Sequence, residues 1–161
     1  MPANRIARVV RLISCVHRAK CLKPVYKERM KETAGTLLYR TVDGTVEILL
    51  VHASGNYNKK SKWSIPKGLP EENETLEEAA RRETKEETDV TAGKLKPLGH
   101  IDYKKSRKRV HCFVGKAPKD AEPQCASWEV DRAEFVPIEK AMEIIHPDQA
   151  EFLVRFLDAV L

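Results

Sequence analysis

A chain of 161 residues, 42% of them hydrophobic, can bury one proper core and has little left for a second. Charges interrupt every apolar stretch well before the roughly 20 residues needed to span a bilayer, so a transmembrane helix is excluded. The net charge of +5 would suit a nucleic-acid binder, but residues 1–27 hold seven cations and no acid, which leaves the other residues at −2 and without a broad phosphate-backbone footprint.

That basic segment, MPANRIARVVRLISCVHRAK, places Ile6, Val9, Val10, Ile13 and Val16 at helical spacing with arginines between them. Such a pattern fits an organelle transit peptide, a membrane-surface helix, a helix docked on the domain, or an extension upstream of a start near Met30. Residues 1–29 are therefore read as an extension and 30–161 as the domain. Cys15, Cys21, Cys112 and Cys125 form no CxxC pair and no zinc-type cluster, so reduced thiols in a cytoplasm-like compartment are expected.

The runs 33–40 and 45–52 are rich in strand formers, and Asp43-Gly44 between them signals a hairpin. The polar stretch ASGNYNKKSK predicts a loop, and WSIPKG a short strand ended by Pro66 and Gly68. An acidic helix follows. Strands are expected over 94–103 and 108–117, flanking the basic turn KKSRK, and again over 127–138; EKAMEII and PDQAEFLVRFLDAVL read as closing helices. Strands on either side of a central helix make an α/β sandwich around a mixed β-sheet.

Between Gly68 and Val90 stand nine carboxylates against three basic side chains. At about 100° per residue, Ala80, Glu83 and Glu87 fall within about 40° of Leu76, with Ala79 and Glu86 at the edge of that face. Glu77 and Glu78 point away and have Arg81 and Arg82 as i, i+4 partners. Two carboxylates on one apolar face, about 5 to 6 Å apart at an effective dielectric near 20, repel by roughly 3 kcal/mol. Several hard oxygens within one turn offer ligands to Mg²⁺ or Mn²⁺, whereas a D-x-D-x-D-G calcium loop does not occur.

Gly68, Glu74, Arg82, Glu83, Glu86, Glu87 and Val90 match the pattern G-x5-E-x7-R-E-U-x-E-E-x-G-U, with U bulky and apolar. The chain thus resembles the Nudix hydrolases over about residues 32–161. It departs at two positions, Thr84 for the first U and Asp89 for the last Gly; aspartate tolerates the left-handed conformation that a helix-ending glycine adopts. The resemblance implies an α/β/α sandwich and hydrolysis of a diphosphate linkage by water with Mg²⁺ or Mn²⁺. Glu83, Glu86, Glu87 and the Gly68 carbonyl would be metal ligands, one of the glutamates also a base. Arg82 would orient the carboxylates, and Glu74 would pair with it. A further acid is implied from a later strand or loop: Glu129 first, because WEVDRAEF is similar to RNA pyrophosphohydrolases of the family, then Glu134.

WSIPKG is similar to the corresponding stretch of dinucleoside tetraphosphate and diphosphoinositol polyphosphate hydrolases. Lys67 would then hold a phosphate. The cations of the turn, Arg107 and Arg109 with Lys104, Lys105 and Lys108, and those of the earlier loop, Lys62 with Lys59 and Lys60, suit a long polyanion if they border the site. Tyr57 and Tyr103 are candidates to stack a base. His52, His100 and His111 lie in or beside strands and are not expected to be ligands. The reading is a cytoplasmic, monomeric or dimeric hydrolase of dinucleoside polyphosphates, with a phosphorylated small molecule as partner and no stable nucleic-acid complex. Its alternatives are an RNA 5′ pyrophosphohydrolase, a diphosphoinositol polyphosphate hydrolase, a nucleotide-sensing module without turnover, and an interaction domain.

Overall fold

The computed structural model describes residues 29–55, 58 and 60–160. The basic amphipathic segment, Tyr57 and Lys59 lie outside them. The strands are β1 (Lys31–Val42) and β2 (Thr45–Ala53), both rich in β-branched and apolar residues, the short β3 (Lys67–Gly68), β4 (Lys96–Asp102), β5 (Lys108–Lys116) and β6 (Val130–Pro137). The expected hairpin joins β1 to β2, with Asp43 and Gly44 both at positive φ. The helices are α1 (Leu76–Thr88), α2 (Ile138–Ile144) and α3 (Ala150–Val160), with a 3-10 turn at Pro147–Gln149 between the last two. No helix among the described residues is long and apolar enough to cross a membrane.

The sheet runs β4-β5-β1-β2-β6, with β3 on β1. Among the named strands β1 and β5 pair in parallel and the other ladders are antiparallel, so the sheet is mixed. One face, through Leu37, Ile48, Leu50, Val110 and Cys112, packs on Phe152, Leu153 and Phe156 of α3. The other buries Ala34 against Ala79 and Ala80 of α1 and gathers Leu38, Leu49, Val90 and Leu95 into a second cluster. Helices thus cover both faces, and α1 lies against the half of β1 that carries β3.

The contact between α1 and β1 includes a buried polar pair where the sequence pattern calls for an apolar residue. Thr84 Oγ1 donates to the Ala80 carbonyl at 2.7 Å, which commits its proton. Thr36 Oγ1, 2.6 Å away, is therefore the donor to Thr84. Replacing Thr84 by valine leaves the Thr36 hydroxyl buried without an acceptor and should destabilise the fold by about 1–3 kcal/mol, read as a lower urea midpoint at unchanged m-value. An unchanged midpoint would mean that Thr36 finds another partner.

Helix α1 is defined at both ends. Thr75 caps its start in a reciprocal box with Glu78. This corrects the expected Glu78–Arg82 pair: Glu78 turns back to cap the helix, where its charge also complements the helix dipole. At the other end Asp89 adopts φ 58°, and its N–H donates to the Lys85 carbonyl at 2.9 Å. Lys85 Nζ returns a bond to the Asp89 carbonyl at 3.0 Å, so the left-handed cap survives without glycine.

The segment before β3 is fixed from the sheet's other side. Gln149, fully buried, accepts from the Ile65 N–H at 2.9 Å and donates to the Tyr103 hydroxyl at 2.7 Å. The Trp63 N–H donates to Ile144 O, and His146 N–H to Trp63 O. At Gly35 a Cβ would collide with the Pro66 carbonyl and the Lys67 Cβ, so β3 lies closer to β1 than any side chain would allow.

Candidate active site

The path from β3 into α1 is organised by one guanidinium. Arg82 donates from Nε and Nη2 to the two oxygens of Glu74, both at 2.9 Å, and from Nη2 to the Leu69 carbonyl at 2.9 Å. Its Nη1 reaches Glu83 at 2.9 Å and Glu86 at 3.0 Å. The fork geometry that arginine alone offers lets one side chain tie the loop after β3 to the carboxylate face of α1. These bonds hold the Glu74 carboxyl below its ordinary pKa, the Arg82 side-chain bond contributing most and the Glu71 N–H next, and raise that of Arg82.

Glu87 sits one turn beyond Glu83 and is only 7% exposed. It accepts a bond from the Lys67 N–H at 3.1 Å. Burial pushes its carboxyl up to about 7; the Lys67 charge pulls the other way, and Glu83 and Glu129 add repulsion. Burial also raises Glu83, against the opposing pull of Arg82. Glu86 is exposed. At Gly68 a Cβ would fall inside the Glu83 carboxylate, so this glycine is what permits the carboxylate and the β3 backbone to meet.

Glu129 joins these residues because the segment before β6 is strapped down twice. The Ala126 N–H donates to Glu87 O at 3.3 Å and Gln124 N–H to Thr88 O at 2.9 Å, closing the exposed carbonyl end of α1. The Ser54 N–H then donates to Glu129 O at 2.8 Å. One cleft of about 340 Å³ is lined by Lys67, Glu87, Ser64, Asn58, Trp128 and Glu129, among others. A second, of about 560 Å³, is lined by Glu83, Glu86, Glu87, Trp128 and Glu129 with part of the same strap.

Lys67 keeps part of its surface, yet protein packs around it closely enough that loss of water is the main effect lowering its pKa. The neighbouring Glu87 opposes that shift and Lys108 adds to it. Lys108 thus stands close enough to act on Lys67, an effect invisible in the basic turn's sequence.

The other described residues singled out in the sequence line neither cleft. Arg109 is forked onto Asp102 at 2.7 and 2.9 Å, so its charge is already matched within the β4–β5 ladder. Tyr103 bonds Gln149 and stacks on His146, rings 4.6 Å apart and 4° from parallel, which commits the face and hydroxyl that a base would need. Arg107 and Lys62 are exposed, and Glu134 pairs with Leu50 along the β2–β6 ladder. His52 is buried and bonds Asp131 at 2.6 Å. Trp128, bordering both clefts, was not anticipated; the only sequence signal was its position beside Glu129.

As placed, no three carboxylate, imidazole or thiol side chains among the described residues converge on one cation position. The physical reason is Arg82, which draws Glu83 and Glu86 to itself while Glu87 turns to the Lys67 N–H. The donor set is nonetheless of hard oxygens, and it includes a buried carboxyl short of counter-charge. That chemistry fits a small divalent cation.

A family model described as the NUDIX domain matches residues 30–156. An 8-oxo-(d)GTP phosphatase of Mycolicibacterium smegmatis is 32% identical over 146 residues, covering 81% of this chain and 43% of that protein. An asymmetrical bis(5′-nucleosyl)-tetraphosphatase of Caenorhabditis elegans is 39% identical over 64 residues, 40% of this chain and 44% of that one. The chain therefore spans less than half the length of these curated relatives. A C. elegans Ap4A hydrolase, solved as a binary complex, superposes with a TM-score of 0.67 at 28% identity, covering 78% of this chain and 96% of that one. With the matched region running from just before β1 into α3, the chain belongs to the Nudix family.

Proposed function

We propose that residues 30–161 hydrolyse a diphosphate linkage in a dinucleoside polyphosphate, with Mg²⁺ or Mn²⁺ as cofactor. The observation that carries this is Glu87: a carboxyl buried beside Glu83 and Glu129 and raised to about 7 is costly unless a cation relieves it. In this reading Glu83, Glu86 and Glu87, with Glu129 and the Gly68 carbonyl, hold the cation. When bound, it neutralises phosphate oxygens and acidifies water. Arg82 positions Glu83 and Glu86, which would then be shared with a bound cation. Lys67 meets the phosphate chain as a point charge. The oxygen of a water molecule bonds to phosphorus, the bridging oxygen departs with the electron pair, and a carboxylate of the cluster takes the proton. Two phosphorylated products leave.

Dinucleoside polyphosphates are favoured by the likeness to the C. elegans tetraphosphatase, whose activity the name of the solved C. elegans Ap4A hydrolase also describes. The basic turn, which would have supported an RNA 5′ end, lines neither cleft. The test is product release from diadenosine tetraphosphate, 8-oxo-dGTP, a diphosphoinositol phosphate and triphosphorylated RNA, each with Mg²⁺ and with EDTA. Fastest metal-dependent cleavage of the dinucleotide is expected. Fastest cleavage of another class would replace the substrate, and binding without turnover of any would replace the enzyme by a sensor.

A further inference from the structure

We propose that Trp128 is the platform on which the substrate's nucleobase stacks, so that the site selects nucleotides over phosphate esters without a base. This rests on the reading of the carboxylate cluster as the reaction centre. Trp128 is 85% exposed, more than any other large hydrophobic side chain among the described residues. Leaving an indole in water forgoes one of the largest apolar burials a side chain offers. The other tryptophan, Trp63, packs against the main core and tilts on His52.

The exposed ring does not belong to a loose loop. The Trp128 carbonyl accepts from Ser54 Oγ at 2.5 Å and the next carbonyl from Ser54 N–H at 2.8 Å, while the strap just before it is fixed to Glu87 O. The backbone is therefore set before any ligand arrives, and stacking need only settle two side-chain torsions. Trp128 lines both clefts, and each of them reaches Glu87 and Glu129. For a molecule with phosphates at the carboxylates and a flat ring one pentose away, this indole is the aromatic side chain that lines the two clefts among the described residues; Tyr103 is already committed elsewhere. Stacking uses a π-face that every base has, so the platform distinguishes base from no base and not adenine from guanine.

The test uses ligands that lack a diphosphate bond and differ only in the base: AMP, GMP and ribose 5-phosphate, titrated with Mg²⁺ into the full chain, its W128F variant and its W128A variant, by calorimetry and indole fluorescence. The wild type should bind AMP and GMP alike, roughly ten- to a hundredfold more tightly than ribose 5-phosphate, with the fluorescence change lost in W128F. W128A should bring both nucleotides to the ribose 5-phosphate level without altering ribose 5-phosphate itself, raise KM for diadenosine tetraphosphate by a similar factor and leave kcat near its original value; W128F should retain most of the nucleotide affinity. Equal affinity for AMP and ribose 5-phosphate in the wild type, or AMP affinity unaffected by W128A, overturns the proposal. So does a change in oligomeric state with nucleotide affinity intact, which would make the ring a contact between copies. Trp128-dependent nucleotide binding without hydrolysis would keep the platform and remove the enzyme; normal hydrolysis with a silent W128A would do the reverse.

Discussion

Glu87→Gln lowers metal-dependent turnover by about a thousandfold or more, yet leaves the metal-free protein folded and, above neutral pH, more stable than the wild type. Glutamine keeps the shape, and its carbonyl can accept the Lys67 N–H bond now made by Glu87. What it removes is a charge in a site that is 7% exposed. A carboxyl whose ordinary value of 4.5 is pushed up to about 7 costs the folded state about 3 kcal/mol once ionised. The substitution should return an amount of that order, seen as a higher urea midpoint at pH 8 in EDTA. Unimpaired turnover in this variant would remove Glu87 from the reaction. Lost turnover accompanied by lost stability would mean that its role is to hold β3 against α1.

The metal-free wild type loses stability as pH rises from about 4.5 to about 7. Between those values the folded state holds a proton on Glu87 that the unfolded chain has released, so stability falls with pH and then levels. Glu83, raised by burial in excess of the Arg82 pull, acts in the same direction. Glu74 and Asp102, lowered by their arginines, contribute stability that is complete above their unfolded values and is lost only in acid, outside this window. His111 opposes: burial lowers it, so its contribution rises with pH up to its unfolded value near 6.5. The difference between wild type and E87Q cancels His111 and leaves Glu87 together with its mutual effect on Lys67, whose lowered pKa the Glu87 charge opposes. That difference should approach about 3 kcal/mol by pH 8 in EDTA. With saturating Mg²⁺ the wild-type decline should shrink, and stabilisation by the cation should grow with pH because cation and proton compete for the same oxygens. A wild type that parallels E87Q at every pH in EDTA would show that Glu87 titrates normally.

The apolar azimuth of Glu83 and Glu87 was legible because helical periodicity is a local property: four residues of spacing suffice to place both beside Leu76. Strand runs and the Asp43-Gly44 turn were legible for the same reason. Glu77–Arg81 was legible from its i, i+4 spacing and Glu74–Arg82 from the family resemblance, and both pairs form; the other partners of charged residues were not legible. Arg82 has Glu78 at i, i−4, and the chain gives that pair no visible disadvantage; Thr75 claims Glu78 for a cap, and Glu74 reaches Arg82 around a loop whose path no periodicity encodes. The basic turn similarly reads as five free cations, although Arg109 meets Asp102 only because β4 and β5 pair in that register. Thr84, a departure from the family pattern, acquires its physical reason only in three dimensions, in the hydroxyl of Thr36; Asp89, whose tolerance of the left-handed conformation was legible, gains there the return bond from Lys85. Trp128 was hidden because a tryptophan next to a strand ordinarily belongs to a core.

The bond from the Ile65 N–H to Gln149 sets when, during synthesis, the carboxylate cluster can be held in place. Lys67 and Gly68 leave the ribosome more than eighty residues before their brace, and β1 waits for β5, which follows it in sequence only after β2, β3, α1 and β4. A nascent chain ending near residue 130 would already carry every carboxylate of α1, with nothing behind β3 to press it forward. Contacts so distant in sequence make folding slow and late. The acidic face would therefore stay loosely ordered until α3 docks on the sheet.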